Sequence, residues 1–253
     1  LVTPVWCTSR LLLAHAADGY LHAFAPTAAA AAAAGDGAQW WQLWEAGRRT
    51  GFRYRLTRPV EVAGVRALER VDTAVAWGGA VVRTTTSVTV DRRLRPLAFH
   101  RRRVDAGQVV ETWGRWRADT LVAGQRLGGW ERVDTVLTGR DFVMPEWLGE
   151  AAVRAGARPG AGSLQVFDYA TLAPRSARYV LAPAAPADRG ARLVMRQSFV
   201  DRAGTSLEVL DRLDARGRLA RRDVPSLRLA QRRVAAAAAV AWAWALPPPL
   251  PVL

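Results

Sequence analysis

The sequence predicts a mainly β fold, an antiparallel meander with a single helix near its middle, on three observations. Short segments alternate apolar and polar residues through most of residues 39–232. Turn signals containing Gly or Asp recur about every ten residues, as in "EVAG", "VDAG", "LGG" and "DARG". One internal stretch alone, "PEWLGEAAVRAG", has helical spacing. Turns this short join antiparallel neighbours, because a parallel pair needs a long crossover. A sandwich, a barrel and a curved half-barrel all satisfy the pattern.

The elements follow in order. Residues 1–38 contain an Arg, an apolar stretch and an Ala run, the order found in a secretory signal. His15, Asp18 and His22 interrupt the apolar part and Pro26 splits it, so it reads as a low-complexity leader or a degraded signal region outside the fold. In "GFRYRLTR", Phe52, Tyr54 and Leu56 face one way and Arg53, Arg55 and Thr57 the other. In "TSLEVLDRLD", Leu207, Val209 and Asp211 oppose Glu208, Leu210 and Arg212. The turn signals give roughly eight strands before the helix and five after it, roughly eleven to thirteen with boundary errors.

The helix is expected near residues 145–155. Pro145 suits a first helical turn, where its missing N–H would lack a partner anyway. Glu146 stands in the first turn and Arg154 in the last, both favourable to the helix dipole. Trp147, Leu148, Ala151 and Ala152 form one apolar stripe, and Gly156 ends the helix. A helix this short is stable only when packed on the sheet. Residues 233–253 are an Ala/Pro-rich tail. Its Ala content and the Pro run from Pro247 favour an interfacial or disordered tail over a membrane span.

Composition bounds the partners. The chain has 253 residues, half of them apolar, enough to bury the core of one β domain over residues 39–232. Its net charge of +14 normally suggests nucleic acid. All 36 basic residues, however, are Arg, and the chain contains no Lys, Ile or Asn. Those three residues have AT-rich codons, so their joint absence indicates a GC-rich bacterium and a partly mutational basicity. The arginines are scattered, with "HRRR" at His100–Arg103 the densest group, which disfavours a nucleic-acid partner. The single cysteine, Cys7, excludes an intramolecular disulfide.

No motif carries catalysis. "GAGSLQV" lacks the second Gly of a nucleophile elbow. His15, His22 and His100 are too few and too separated for a zinc site. Asp211, Asp214 and Asp223 surround "DARG" and read as turn chemistry. No catalytic residue, metal or cofactor is assigned, and a non-enzyme is expected. Tryptophan is abundant, with 11 in the chain. Aromatics on a sheet form core or line a cavity. Trp113 and Trp116 lie on opposite strand faces unless a bulge intervenes at Gly114.

Four stretches in order resemble a family. "WWQLWEAGRRTGFRYRL" is similar to the opening strand and hairpin of a bacterial β-rich module of uncharacterised function found upstream of transglutaminase-like domains. "VTVDRRLRPLAFHRRRVDAGQVVETWGRWRADTLV" resembles its central meander, "MPEWLGEAAVRAGARPGAGSLQVFDYATLAP" its helix and following strand, and "LDARGRLARRDVP" its closing hairpin. Such modules are related to the unclosed β-barrels of lipoprotein-localisation carriers, whose helices cap a hydrophobic cavity.

The resemblance implies a curved, unclosed barrel with the helix on its concave face. It also implies a non-enzymatic module of the periplasm or cell envelope that binds an apolar ligand, lipid-like or peptide. The cavity candidates are Phe142, Met144, Trp147 and Leu148 around the helix, with Phe99, Trp113 and Trp130 on strands. The alternatives are a structural or protein-interaction domain of the envelope with a packed interior, and an accessory module to a transglutaminase-like enzyme. A packed interior with an exposed apolar patch distinguishes the interaction domain.

Overall fold

A computed structural model describes residues 38–77, 81–155, 159–188, 190–200 and 206–235. The expected leader and tail lie almost entirely outside these residues. Eight strands come first: β1 Ala38–Glu45, β2 Arg48–Val62, β3 Val65–Trp77, β4 Val81–Asp91, β5 Pro96–Asp105, β6 Gln108–Arg117, β7 Thr120–Leu127 and β8 Trp130–Leu137. A 3-10 turn at Pro145–Trp147 then runs into α1, Leu148–Arg154. Six strands follow: β9 Gly160–Asp168, β10 Ala173–Pro183, β11 Leu193–Val200, β12 Ser206–Leu213, β13 Leu219–Val224 and β14 Leu229–Val234.

All of them belong to one 14-stranded antiparallel sheet that does not close, ordered β8-β7-β6-β5-β4-β3-β2-β1-β14-β13-β12-β11-β10-β9. The chain winds outward from β1 to β8, carries the helix across to the opposite edge, and winds back until β14 pairs with β1. Tight turns drive the meander. With no Asn in the sequence, Ala46, Ala63 and Ala106 take the left-handed position that precedes Gly47, Gly64 and Gly107. The β13–β14 boundary escapes a Gly-based reading: a 3-10 turn at Pro225–Leu227 reverses the chain and Arg228 takes φ +53°.

Curling of the sheet brings its two halves together around the helix. Val88, Val90, Phe99, Trp116 and Leu121 of β4 to β7 pack with Phe142, Met144 and Trp147, and with Phe167 of β9 from the far edge. On the other side of the helix, Leu148 and Ala152 pack with Trp41 of β1, Leu181 of β10, Met195 of β11 and Leu213 of β12. Trp147, Leu148 and Ala152 of the expected stripe are therefore buried and Ala151 partly so, but the burial is wider than one face. Glu150 is only 8% exposed as well, because α1 lies inside the curl rather than on an open surface.

Backbone contact fixes the helix in place. A Cβ built on Gly149 would lie 2.3 Å from the Gly217 carbonyl oxygen in the β12–β13 turn. Gly149→Ala is therefore expected to destabilise the protein by about 2 kcal/mol, although Ala is the better helix former by about 1 kcal/mol. A lowered urea midpoint with an unchanged m-value checks this.

Candidate functional site

The concave face carries a belt of paired charges between the two apolar clusters. Strand register builds it: Trp41 of β1 lies opposite Arg53 of β2, and Arg55 of β2 opposite Asp72 of β3, so these side chains share the inner face. Arg53 donates from Nε and Nη2 to the two Asp72 oxygens at 2.6 Å each, and from Nη1 to Gln231 of β14 at 2.9 Å. Arg55 donates twice more to Asp72 Oδ2, at 2.9 and 2.8 Å. Burial alone would raise the Asp72 carboxyl, but the two guanidinium groups outweigh it and hold it well below the usual carboxylate range. Burial pulls Arg55 down to about 10 despite Asp72, which leaves it charged at neutral pH.

Arg70 of β3 joins the belt to the helix. Its guanidinium lies 3.6 Å from the centre of the Trp147 ring, donates to Glu150 Oε1 at 2.6 Å and to Thr57 Oγ1 at 3.1 Å, and also donates to the Glu146 carbonyl. Farther round the curl, Arg222 of β13 forms a two-pronged pair with Asp211 of β12 at 2.6 and 2.7 Å, and Gln197 of β11 donates to Asp211 at 3.0 Å. Asp211 is thus a buried ion-pair partner rather than a turn residue. Asp223 also forms ion pairs, with Arg212 and Arg221. Of the three aspartates around "DARG", Asp214 alone serves the turn, accepting from the Arg216 and Arg218 backbone N–H groups at 2.9 Å each.

Glu146 is held differently. Its carboxyl accepts from the Tyr169 hydroxyl at 2.9 Å, with the Arg101 guanidinium 5.4 Å from the Tyr169 ring centre. Burial pushes the Glu146 carboxyl up, and burial followed by the Glu146 charge pushes Tyr169 well above its ordinary value. Chemically, Asp72, Glu150 and Asp211 are committed to guanidinium partners, and Tyr169 keeps its proton at neutral pH. These groups brace the interior.

The structure gathers Phe99, Phe142, Met144 and Trp147 into one cluster and Leu148 into the neighbouring one. Trp113 and Trp130 are corrected. β6 pairs with β5 and β7 without a register shift, so no bulge turns Trp113 inward. Thr112, Gly114 and Trp116 form the buried face, and the Trp113 ring covers Gly124 on the opposite one. Gly114 instead makes room for the Phe99 ring, which would meet a Cβ there at 2.3 Å. Trp130, beside the β7–β8 turn at the sheet edge, is 52% exposed.

Sequence reasoning missed Trp116, Phe167 and Tyr169. In the group Phe99, Trp116, Phe142 and Phe167, neighbouring ring centres stand 5.3–5.8 Å apart. Strand parity was a signal for Trp116. For Phe167 none existed, since its neighbours come from the opposite edge. An open groove of about 1090 Å³ lies elsewhere, where β1 begins and β14 ends; its polar wall includes Arg192, Arg216, Arg218, Arg233, Asp188 and Asp214. None of the seven candidates lines it.

No family model and no curated protein matches the chain. Among solved structures it is similar to a β-barrel-like protein of the domain of unknown function DUF1849 from Brucella abortus, with 11% identity and a TM-score of 0.52 over 78% of this chain and 94% of that one. A DUF1089 family protein from Pseudomonas aeruginosa matches at 9% identity and a TM-score of 0.40, over 69% of this chain and 90% of that one. The first likeness establishes a shared β-barrel-like fold, consistent with a β-rich module of unknown function.

Two predictions follow from the belt. Arg70→Met leaves the Glu150 carboxylate buried without its partner and is expected to cost about 3 kcal/mol. Adding Glu150→Gln should recover part of that loss in urea unfolding, the signature of coupled residues. Glu146 titrates in the opposite sense to Asp72. Its folded-state value is raised, so its ionisation lowers stability progressively as pH climbs above the unfolded value of about 4.3. Glu146→Gln keeps an acceptor for Tyr169 without the charge, so it should raise the melting temperature at pH 7 and leave it nearly unchanged near pH 4.

Proposed function

We propose that this chain is a non-enzymatic module of the cell envelope that docks a protein along its open sheet edge. The observation that carries this reading is a packed interior combined with apolar exposure concentrated at β8. Phe99, Phe142, Met144 and Trp147 fill the space beneath the helix, each at most 5% exposed. At the edge, Leu127, Trp130, Val133 and Leu137 are 47%, 52%, 54% and 80% exposed. The opposite edge is partly occupied: Val143 bridges Val166 of β9, donating to the Gln165 carbonyl at 2.8 Å and accepting from the Phe167 N–H at 2.9 Å. Among the described residues no strand pairs with the outer side of β8, and an edge strand with apolar side chains is a template for a further strand.

The envelope location and an accessory role beside a transglutaminase-like enzyme rest on the sequence resemblance. The interior carrier reading is the rival. Two measurements on the full chain separate them. A photo-crosslinking residue at position 133 should capture a protein in the native cell, whereas one at Val180 on β10, similarly exposed, should not. N-phenylnaphthylamine should find no saturable site in the purified protein. Stoichiometric dye uptake with no adduct at position 133 would return the carrier reading.

A further inference from the structure

Resting on that docking reading, we propose that the occupant of the β8 edge is a second copy of this chain, paired antiparallel about a two-fold axis at Val133. The strand's own hydrogen-bond phase sets the first constraint. Leu127 and Trp130 are register partners across the two-residue turn Gly128–Gly129, with Gly128 at φ +59° as a II′ turn requires at its first central position. Residues flanking such a turn exchange both main-chain hydrogen bonds, and the pattern alternates along the ladder. Trp130, Arg132, Asp134 and Val136 therefore spend their N–H and C=O groups on β7. Those of Glu131, Val133, Thr135 and Leu137 point outward.

Two copies meeting antiparallel must match outward groups with outward groups, which leaves a short series of registers two residues apart. Charge chooses among them. Centring the axis on Glu131, Arg132 or Asp134 sets a residue against its own like charge. Centring it on Val133 sets Arg132 against Asp134 of the second copy, twice by symmetry, on one face. On the other face Val133 meets its counterpart and Glu131 meets Thr135. In the same register Trp130 meets Val136, and Leu137 lies beside Gly129. Arg132 and Asp134 already pair within the strand at 2.8 Å, so their charged ends occupy the face where the cross-strand pairs form. Charges on an edge strand normally discourage pairing. Here their order favours a second copy in the Val133 register, the one that sets opposite charges against each other, in the isologous contact of a two-fold dimer.

The test is a charge-swap series on the full chain, read by sedimentation velocity. The wild type should show a concentration-dependent dimer. Arg132→Asp or Asp134→Arg alone places like charges opposite at both symmetric positions and should weaken dimerisation roughly tenfold or more. Mixing the two single variants restores Arg opposite Asp at both positions and should restore a dimer. Both side chains are solvent-accessible, so unchanged circular dichroism and melting of each variant exclude misfolding. A wild type that stays monomeric at every concentration, or a mixture no more dimeric than its components, overturns the proposal. A monomeric wild type together with a different protein crosslinked at position 133 would leave docking standing and remove only the second copy.

Discussion

The structure depends on one buried cation. Arg70 stands on β3, next to the central β2–β1 pair of the sheet, and holds the helix by stacking on Trp147, pairing with Glu150 and donating to the Glu146 carbonyl. The α-helical part of that segment has seven residues, far below the length at which an isolated helix survives in water. Its stability therefore comes from packing and from a charge pair that nothing inside the curl can replace with solvent. A buried pair of this kind adds little net stability over an apolar equivalent, but losing one partner is severe. It specifies where the helix sits more than how strongly it is held.

The position of the helix in turn determines the shape of the sheet. Leu148 and Ala152 face β1 and β10 to β12, while Trp147 and Met144 face β4 to β7. A flat sheet could not touch one short helix from both halves, so the strands coil around it in the sense that right-handed twist favours. The wide concave face is too large for aliphatic side chains alone to fill around seven helical residues. Arg53 and Arg55 around Asp72, and Arg222 on Asp211, occupy the middle with long, ion-paired side chains. The same geometry makes the two edges unequal. The chain crossing from β8 to β9 lays Val143 along β9, while among the described residues no strand pairs with the outer side of β8.

Much of the fold was legible because its causes are local. Alternation marked "GFRYRLTR" as a strand, Ala-Gly turns marked its neighbours, and Pro145 marked the start of the helical segment. The fourteenth strand was not, since "VPSLRL" turns without Gly or Asp and puts Arg228 in the left-handed region. Of the candidate site, Phe99, Phe142, Met144, Trp147 and Leu148 were found as apolar residues near a helix. Trp113 was chosen over Trp116 because alternation separates the two faces without saying which is inner.

By itself, then, the sequence determined an antiparallel β-meander interrupted by one dependent helix, since periodicity and turn chemistry act between residues close in the chain. Only the tertiary structure decided that the Arg53, Arg55 and Thr57 side of β2 faces inward, that Glu150 is buried against Arg70, and that Phe167 crosses from the far edge to complete the aromatic cluster. Each depends on a partner on another element, 19 residues away for Arg53 and Asp72 and 80 for Glu150 and Arg70, which the fold brings together. An arginine on an alternating strand reads as solvent-facing until the carboxylate that neutralises it is placed opposite, and that placement is a property of the fold.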